Sequence, residues 1–535
     1  MFATKISENA DYDGYASWDE ICSNTAKIDY VNGTGTVAGV NISTDGKEAM
    51  VHADDGFYAV IGDTGSGKTC DVVIPYILNN LIVGNSMIIT DIKGDIYKTI
   101  SKTLRKNGYK IVFLNFDDPA RGDCVNPLKM IRDEYKNGNV GKANTALMAY
   151  AKGIMNSVSS EKDPFWHRTS GEYFVGLVQT LFEYFDEADA TIANTLDLHF
   201  QGEKKAYGAT TVMKSFYSDN EGASAWKLMA STVNAPDATK SSLHSVFVSG
   251  LNTFICQNPA LIQMLSRTSF EVSDLVDEKT AIFIEADETS LSVHSFMISS
   301  LIHQWYSKLV QIAKETNGVL KRKVVFVLDE FGNLPAIEDF RMKISLSRAR
   351  GISWMLVLQS LAQLELNYGK EEAKAIIGNV SNWIYLHSPD PNLRDYISKV
   401  LGEKRNEYTN ISERLLSEKM LNQFKKINNE GLTECLMMLG RKRPFMAFLP
   451  DISRYYGIES IDHIDIPLRE DRDIKEIDFA AVVNAKEKEK KKKNINESRE
   501  EKIKENRINR ETVRMETVER VLALMDVVLG EVKGA

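Results

Sequence analysis

The chain has 535 residues, 43% hydrophobic and 26% charged, with only 12 prolines and a formal net charge of −9 at pH 7. That length supports two or three domains with sizeable cores, and the composition is that of a soluble globular protein rather than a disordered or fibrous one. The acid excess argues against a surface coated uniformly in positive charge for nucleic acid, yet it leaves room for a basic lining on one face.

No run of eighteen apolar residues occurs, so no self-contained transmembrane helix is expected. The N-terminal "MFATKISENADYDGYASWDE" lacks the basic-then-apolar order of a signal peptide. The five cysteines, Cys22, Cys70, Cys124, Cys256 and Cys435, form no C-x-x-C pair and read as reduced thiols in a cytoplasmic protein. The eight histidines are dispersed, so no zinc site is expected.

Residues 1–50 carry polar, glycine-containing stretches such as "VNGTGTVAGVN" and read as a lead-in of short strands and turns. From 51 to 131 apolar strands alternate with helices, in "GFYAVIG", "NSMIITDI" and "YKIVFLNF", a spacing that suits βαβ units and a parallel sheet. Between the first strand and its helix lies Gly62-Asp63-Thr64-Gly65-Ser66-Gly67-Lys68-Thr69, an uninterrupted G-x-x-x-x-G-K-[ST] motif. Gly62, Gly65 and Gly67 let the chain turn tightly enough to aim backbone N–H groups at one anion, and the helix N-terminus adds partial positive charge. Thr64 and Ser66 complete the loop. Lys68 is expected to reach the β and γ phosphates of ATP, and the Thr69 hydroxyl to ligate Mg²⁺.

Residues 132–275 lose the strand signal and read as an all-α domain, as in "GEYFVGLVQTLFEYF". Strands return over 276–468, giving an α/β fold interrupted by a helical insertion. There "KVVFVLDEFGNLP" places Asp329 and Glu330 at a strand's carboxyl end, where ligands of parallel sheets bind. Asp329 would hold the Mg²⁺ shell and Glu330 would orient the attacking water. In "MLVLQS", Gln359 ends the next strand and would sense the γ phosphate or the water. Arg348, in "SRARG", is remote from its own loop but could neutralise transition-state charge in the site of an adjacent subunit. Residues 469–535 read as a charged tail, with "KEKEKKKK" at 486–493 and then an amphipathic helix carrying Val518, Leu522, Met525 and Leu529 on one stripe.

Taken in order, "IGDTGSGKT", "TDIKGDIY", "CVNPL", "DPFWHRTSGEYF", "VLDEFGNLP", "SRARGISWMLVLQS" and "NWIYLHSPDPNLRDYIS" resemble the type IV coupling proteins of the TraG/TraD kind, over about residues 15–450. The resemblance implies a RecA-like P-loop NTPase domain with an inserted all-α domain, and homohexamers with ATP sites between subunits. It implies a P-loop ATPase that drives relaxase-bound single-stranded DNA towards a type IV secretion channel at the inner face of the cell membrane. It carries Lys68 and Thr69 onto the P-loop pair, Asp329 and Glu330 onto the Walker B acids, Gln359 onto the family's glutamine and Arg348 onto a trans-acting arginine. The segment around Trp166 and His167 resembles a region linked to substrate recognition. Many members begin with transmembrane helices; no apolar span precedes Gly62 here, so membrane contact is expected through a partner or a missing segment. Alternative functions are a double-stranded DNA translocase of the FtsK or HerA type, or a low-turnover docking platform for secreted proteins.

Overall fold

The computed structural model describes residues 26–27, 36–43, 46–52, 56–156, 164–206, 210–255, 258–286, 291–405, 412–427, 432–440, 444–450, 463–470 and 476–532. Much of the expected lead-in over 1–50, with Cys22, and also Cys256 lie outside the described residues. Within the lead-in, β1 (Ala26–Lys27), β2 (Thr36–Ser43) and β3 (Gly46–His52) form an antiparallel sheet in the order β1-β3-β2.

Runs of aliphatic and aromatic residues build the main sheet, because side chains that alternate across a pleat can bury both faces at once. Its strands are β4 (Tyr58–Ile61), β5 (Ser86–Thr90), β6 (Lys110–Asn115), β7 (Thr280–Glu285), β8 (Val324–Leu328), β9 (Ile352–Leu358) and β10 (Asn382–Tyr385). A ribbon of β11 (Glu403–Arg405) and β12 (Ser412–Arg414) follows, and then β13 (Lys426–Ile427), β14 (Leu432–Leu439) and β15 (Phe445–Pro450). The order is β13-β14-β10-β4-β9-β8-β5-β7-β6, with β15 paired to β14. The strands from β10 to β6 are parallel, and β13, β14 and β15 add an antiparallel edge beside β10. The sequence reading anticipated the parallel centre but not this edge, since β13 is two residues long and "LTECLMML" has no clean alternation.

The pleat is visible in the two cores. Val324, Phe326 and Leu328 of β8 join one cluster, and Val325 and Val327 join the other on the opposite face. β9 divides in the same way, with Trp354 and Leu356 on the first face and Met355 and Val357 on the second.

β6 and β7 are neighbours in space, yet a long helical block separates them in sequence. It contains helices Lys129–Lys136, Val140–Asn156, Pro164–Tyr184, Ile192–Gly202, Val212–Tyr217, Ser224–Val233, Asp237–Ile255 and Pro259–Leu265. Phe174, Leu177 and Leu181 of the central helix Pro164–Tyr184 are fully buried in the cluster that also lines one sheet face, so the core is continuous between block and sheet. Gly176 lets this helix approach Ser224–Val233: a Cβ there would lie 2.7 Å from the Ala225 carbonyl oxygen and 2.3 Å from Met229 Cγ.

The chain beyond 468 does not leave the body at once. The Arg469 amide donates to the Ala120 carbonyl, 2.8 Å, and Ile477 and Phe479 are buried. A single helix then runs from Phe479 to Val532. No described helix is long and apolar enough to cross a membrane.

Candidate functional site

The loop after β4 is shaped by its glycines. Gly65 and Gly67 have φ of 82° and 96°, in the left-handed region that glycine enters without steric cost. Gly67 is also needed for space, because a Cβ there would meet Asp71 Oδ2 at 2.0 Å. The Gly62 amide donates to the Leu358 carbonyl, 3.2 Å, and the Asp63 amide to the His387 carbonyl, 2.9 Å, which ties the loop to the ends of β9 and β10. A π-helical turn, Lys68–Val73, leads into helix Ile74–Val83. Left-handed Gly65 and Gly67, on either side of Ser66 and opening onto a helix N-terminus, form a concavity suited to a phosphate chain.

Lys68 is buried, and its Nζ donates to the carbonyls of Gly62, 2.7 Å, and Asp63, 2.8 Å, curling back over the loop. Burial pulls its pKa below the usual lysine range, against the opposing pull of Glu330, Asp329 and Asp63. Thr69 is half-buried, and Thr64 and Gly65 are exposed. The Ser66 hydroxyl donates to the Asp63 carbonyl, 2.8 Å.

β9 and β8 pair in parallel beside β4, so Gln359 and the acids Asp329 and Glu330 emerge at the same sheet edge as the loop. Asp329 and Glu330 are 7% and 8% exposed. Glu330 adopts φ 52°, ψ 37°, a left-handed conformation that costs a non-glycine residue about 1–3 kcal/mol. Its carboxylate is held from three sides. Gln359 Nε2 donates to Oε2 at 2.8 Å, Asn333 Nδ2 at 3.3 Å, and Lys93 Nζ stands 3.8 Å from Oε1. The Asp329 carbonyl accepts from Thr90 Oγ1, 2.9 Å, fixing the end of β8 against β5. Burial, then the neighbouring Glu330 carboxylate, push the Asp329 pKa up to about 6.

Two members of this cluster were visible in the sequence only as part of a motif. Asp91, from "TDIKGD", is 1% exposed and accepts from the amides of Ile96, 3.2 Å, and Tyr97, 2.6 Å. Burial, with smaller contributions from the Asp329 and Glu285 carboxylates, raises its pKa to about 7 despite those amides. Lys93, two residues on, supplies the contact to Glu330. The signal was an acid and a lysine just past a buried strand. A third group comes from the antiparallel edge: Thr433 Oγ1 donates to the buried Asp71, and Lys426 Nζ lies 3.7 Å from Asp71 Oδ2. His387 Nδ1 meets Asp63 Oδ2 at 3.0 Å. Between edge and loop is a cavity of about 230 Å³ lined by Thr64, Ser66, His387, Phe424 and Lys426.

The structure thus brings Gly62–Thr69, Asp329, Glu330 and Gln359 to one edge and leaves Arg348 out. Arg348 is exposed and precedes β9, at the opposite end of that strand from Gln359. Trp166 and His167 are half-buried in the first turn of helix Pro164–Tyr184, with Phe165 exposed beside them.

The residues fit a nucleotide with a divalent cation. A buried lysine faces a loop built to wrap an anion, and a buried carboxylate with a raised pKa, beside a second acid, suits a cation that would replace its proton. Thr69 and Asp329 are the hydroxyl and carboxylate that could hold that cation.

The family described as Type IV secretory system Conjugative DNA transfer matches residues 12–435. The conjugal transfer protein TraG of Rhizobium radiobacter is 26% identical over 354 residues, 64% of this chain and 52% of its own. VirD4 of the same species is 24% identical over 351 residues, 64% of this chain and 48% of its own. The chain spans about half the length of these relatives. Among solved structures, the plasmid coupling protein TrwB in complex with the non-hydrolysable ATP analogue ADPNP superposes with a TM-score of 0.57, covering 85% of this chain and 95% of its own at 17% identity. TrwB in complex with ADP and Mg²⁺ gives the same TM-score, 0.57, and the same 17% identity, covering 85% of this chain and 94% of its own. The likeness establishes the fold: a RecA-like P-loop α/β fold with inserted all-α structure.

Proposed function

Since this chain belongs to the type IV secretory system conjugative DNA transfer family, a type IV coupling protein in kind, we propose that it hydrolyses ATP to drive single-stranded DNA towards a secretion channel. The observation that carries the reading is the Gln359–Glu330 hydrogen bond, which fixes a buried acid at the edge that carries the phosphate-type loop. A protein that only bound nucleotide would have no use for an acid held in a strained conformation and aimed from three sides.

In this reading Gly62, Thr64, Gly65, Ser66 and Gly67 wrap the phosphates, and Lys68 leaves the Gly62 and Asp63 carbonyls to meet the β and γ phosphates. Thr69 and Asp329 would hold Mg²⁺, which would supply positive charge to the phosphates. Glu330 accepts a proton from the attacking water, and Gln359 keeps that carboxylate in line. Arg348, at the far end of β9, reaches the site of a neighbouring subunit in a homohexamer, where it neutralises transition-state charge. Residues 51–131 and 276–468 form the motor, and the all-α domain over 132–275, near Trp166 and His167, meets the cargo. The cargo is a relaxase-bound strand delivered from the cytoplasm to membrane-embedded channel components.

The test is ATP turnover with no DNA, with single-stranded DNA and with double-stranded DNA, for the wild type, Lys68→Ala and Glu330→Gln. Stimulation by single strands is expected. Lys68→Ala should lose binding, and Glu330→Gln should bind ATP while turning over about 10²–10⁴-fold more slowly. Stimulation by duplex alone would favour a double-stranded DNA translocase, and tight binding without turnover would favour a docking platform.

A further inference from the structure

The longest helix begins on the body and ends away from it. Phe479 is fully buried, its amide donating to Gln201 Oε1, 2.9 Å. Lys486 Nζ lies 3.9 Å from the centre of the Phe216 ring and donates to the Phe216 carbonyl, 2.8 Å. From there the helix continues to Val532, about 70 Å at 1.5 Å per residue. Every residue from 501 to 525 is exposed. A stretch of that length gains nothing from tertiary packing in a single chain, and isolated helical propensity seldom suffices to hold one.

Its sequence supplies what the single chain lacks. Met515, Val518, Leu522, Met525, Leu529 and Val532 recur at alternating intervals of three and four, the a and d positions of three consecutive heptads. Met515, Val518, Leu522 and Met525 are 65%, 49%, 56% and 56% exposed, an apolar seam in water. The flanking charges say what covers it. In this register Arg514 occupies a g position and Glu519 the e position of the next heptad, the pair that meets across two parallel strands. In an antiparallel pair g faces g and e faces e, so Arg514 and Glu519 would no longer meet. A lipid surface is the poorer match, because membrane-lying helices are rich in Lys and Arg on the polar face, whereas Arg514, Glu516, Glu519 and Arg520 nearly cancel.

We infer that residues 515–532 form a parallel coiled coil with further copies of this chain, joining protomers at a point remote from the nucleotide site. Parallel alignment places the bodies, each anchored to its own helix at Phe479, at the same end of the coil.

The test uses the full chain with Met525→Cys at a d position and, as control, Arg520→Cys at an f position on the outside of the coil. Each is oxidised with copper phenanthroline beside the wild type, whose own thiols, Cys70 included, set the baseline on non-reducing gels. Met525→Cys should yield covalent dimers at least tenfold faster than Arg520→Cys, and adding Leu522→Glu should return it to baseline. Equal rates for the two cysteine variants overturn the proposal. So does flotation of the wild type with vesicles of phosphatidylcholine and phosphatidylglycerol, lost in Leu522→Glu, when Met525→Cys does not crosslink. ATP turnover is read in parallel; its absence refutes the motor and leaves the crosslinking result intact.

Discussion

Replacing Gln359 by Leu separates an acid that is merely present from one that is aimed. The substitution keeps the volume near the end of β9 but removes the Nε2 donor 2.8 Å from Glu330 Oε2. A hydrogen bond to a charged group contributes about 1.5–3 kcal/mol. Asn333, at 3.3 Å, and Lys93, at 3.8 Å, would retain part of the orientation, so the loss should fall towards the lower figure. At 1.36 kcal/mol per tenfold change, kcat should drop about 10- to 30-fold, with nucleotide affinity nearly unchanged because Lys68 and the loop are untouched. Steady-state ATPase assays with Gln359→Leu, Glu330→Gln and the double variant give the answer. If Gln359 acts through Glu330, the double variant is no slower than Glu330→Gln alone, since the two groups work as a unit. Independent, additive losses would refute that account and place Gln359 on the phosphate or the water. Full activity in Gln359→Leu would reduce the bond to packing.

Asp329→Asn should stabilise the nucleotide-free protein at pH 8. Raising its pKa from 3.8 to about 6 makes the ionised form a folded-state penalty of about 3 kcal/mol. The penalty is absent below about pH 4, grows between pH 4 and 6 and is complete above, so the gain in Tm should vanish when melting is measured at pH 4. A gain that persists there removes the burial argument. Gly176→Ala should cost about 1–3 kcal/mol in chemical denaturation, because its Cβ meets the Ala225 backbone as well as Met229; an unchanged midpoint would mean the two helices are free to part. Arg348→Ala should leave ATP binding intact while slowing turnover, and mixing it with Glu330→Gln should restore activity at mixed interfaces. No recovery in the mixture counts against a role across subunits.

The parts of the site that are contiguous in sequence were legible there. The loop from Gly62 to Thr69 states its own conformation, because three glycines and a lysine before an apolar helix have few other uses. "VVFVL" and "ISWMLVL" announced strands, and their ends gave Asp329, Glu330 and Gln359. What could not be read was which strands would lie side by side. The Glu330–Gln359 bond depends on β8 pairing with β9, and the Asp71, Thr433 and Lys426 cluster on a return of the chain some 360 residues later. Neither leaves a local pattern. The left-handed conformation of Glu330 is equally silent, because only the surrounding fold makes a non-glycine residue accept it.

The strand order also explains how a block of helices between β6 and β7 can be inserted without disturbing the nucleotide edge. β6 and β7 end the sheet on one side, while β4 lies beyond β5, β8 and β9, so the block joins the sheet four strands, about 20 Å, from the loop. Its insertion leaves the pairing of β4, β9 and β8 untouched. One route still leads back to the site. β7 ends in Glu285, where a Cβ on Gly94 would meet Glu285 Oε1 at 2.9 Å, and Gly94 sits between Lys93 and the helix that Asp91 caps. Lys93 in turn reaches Glu330. A side chain added at Gly94, whose φ of 69° suits glycine, would push on the Glu285 carboxylate at the end of β7 and on the turn that carries Lys93. Replacing Gly94 with Ala should for that reason slow ATP turnover more than it lowers Tm. The reverse pattern would mean that the end of β7 and the Glu330 carboxylate are not mechanically joined.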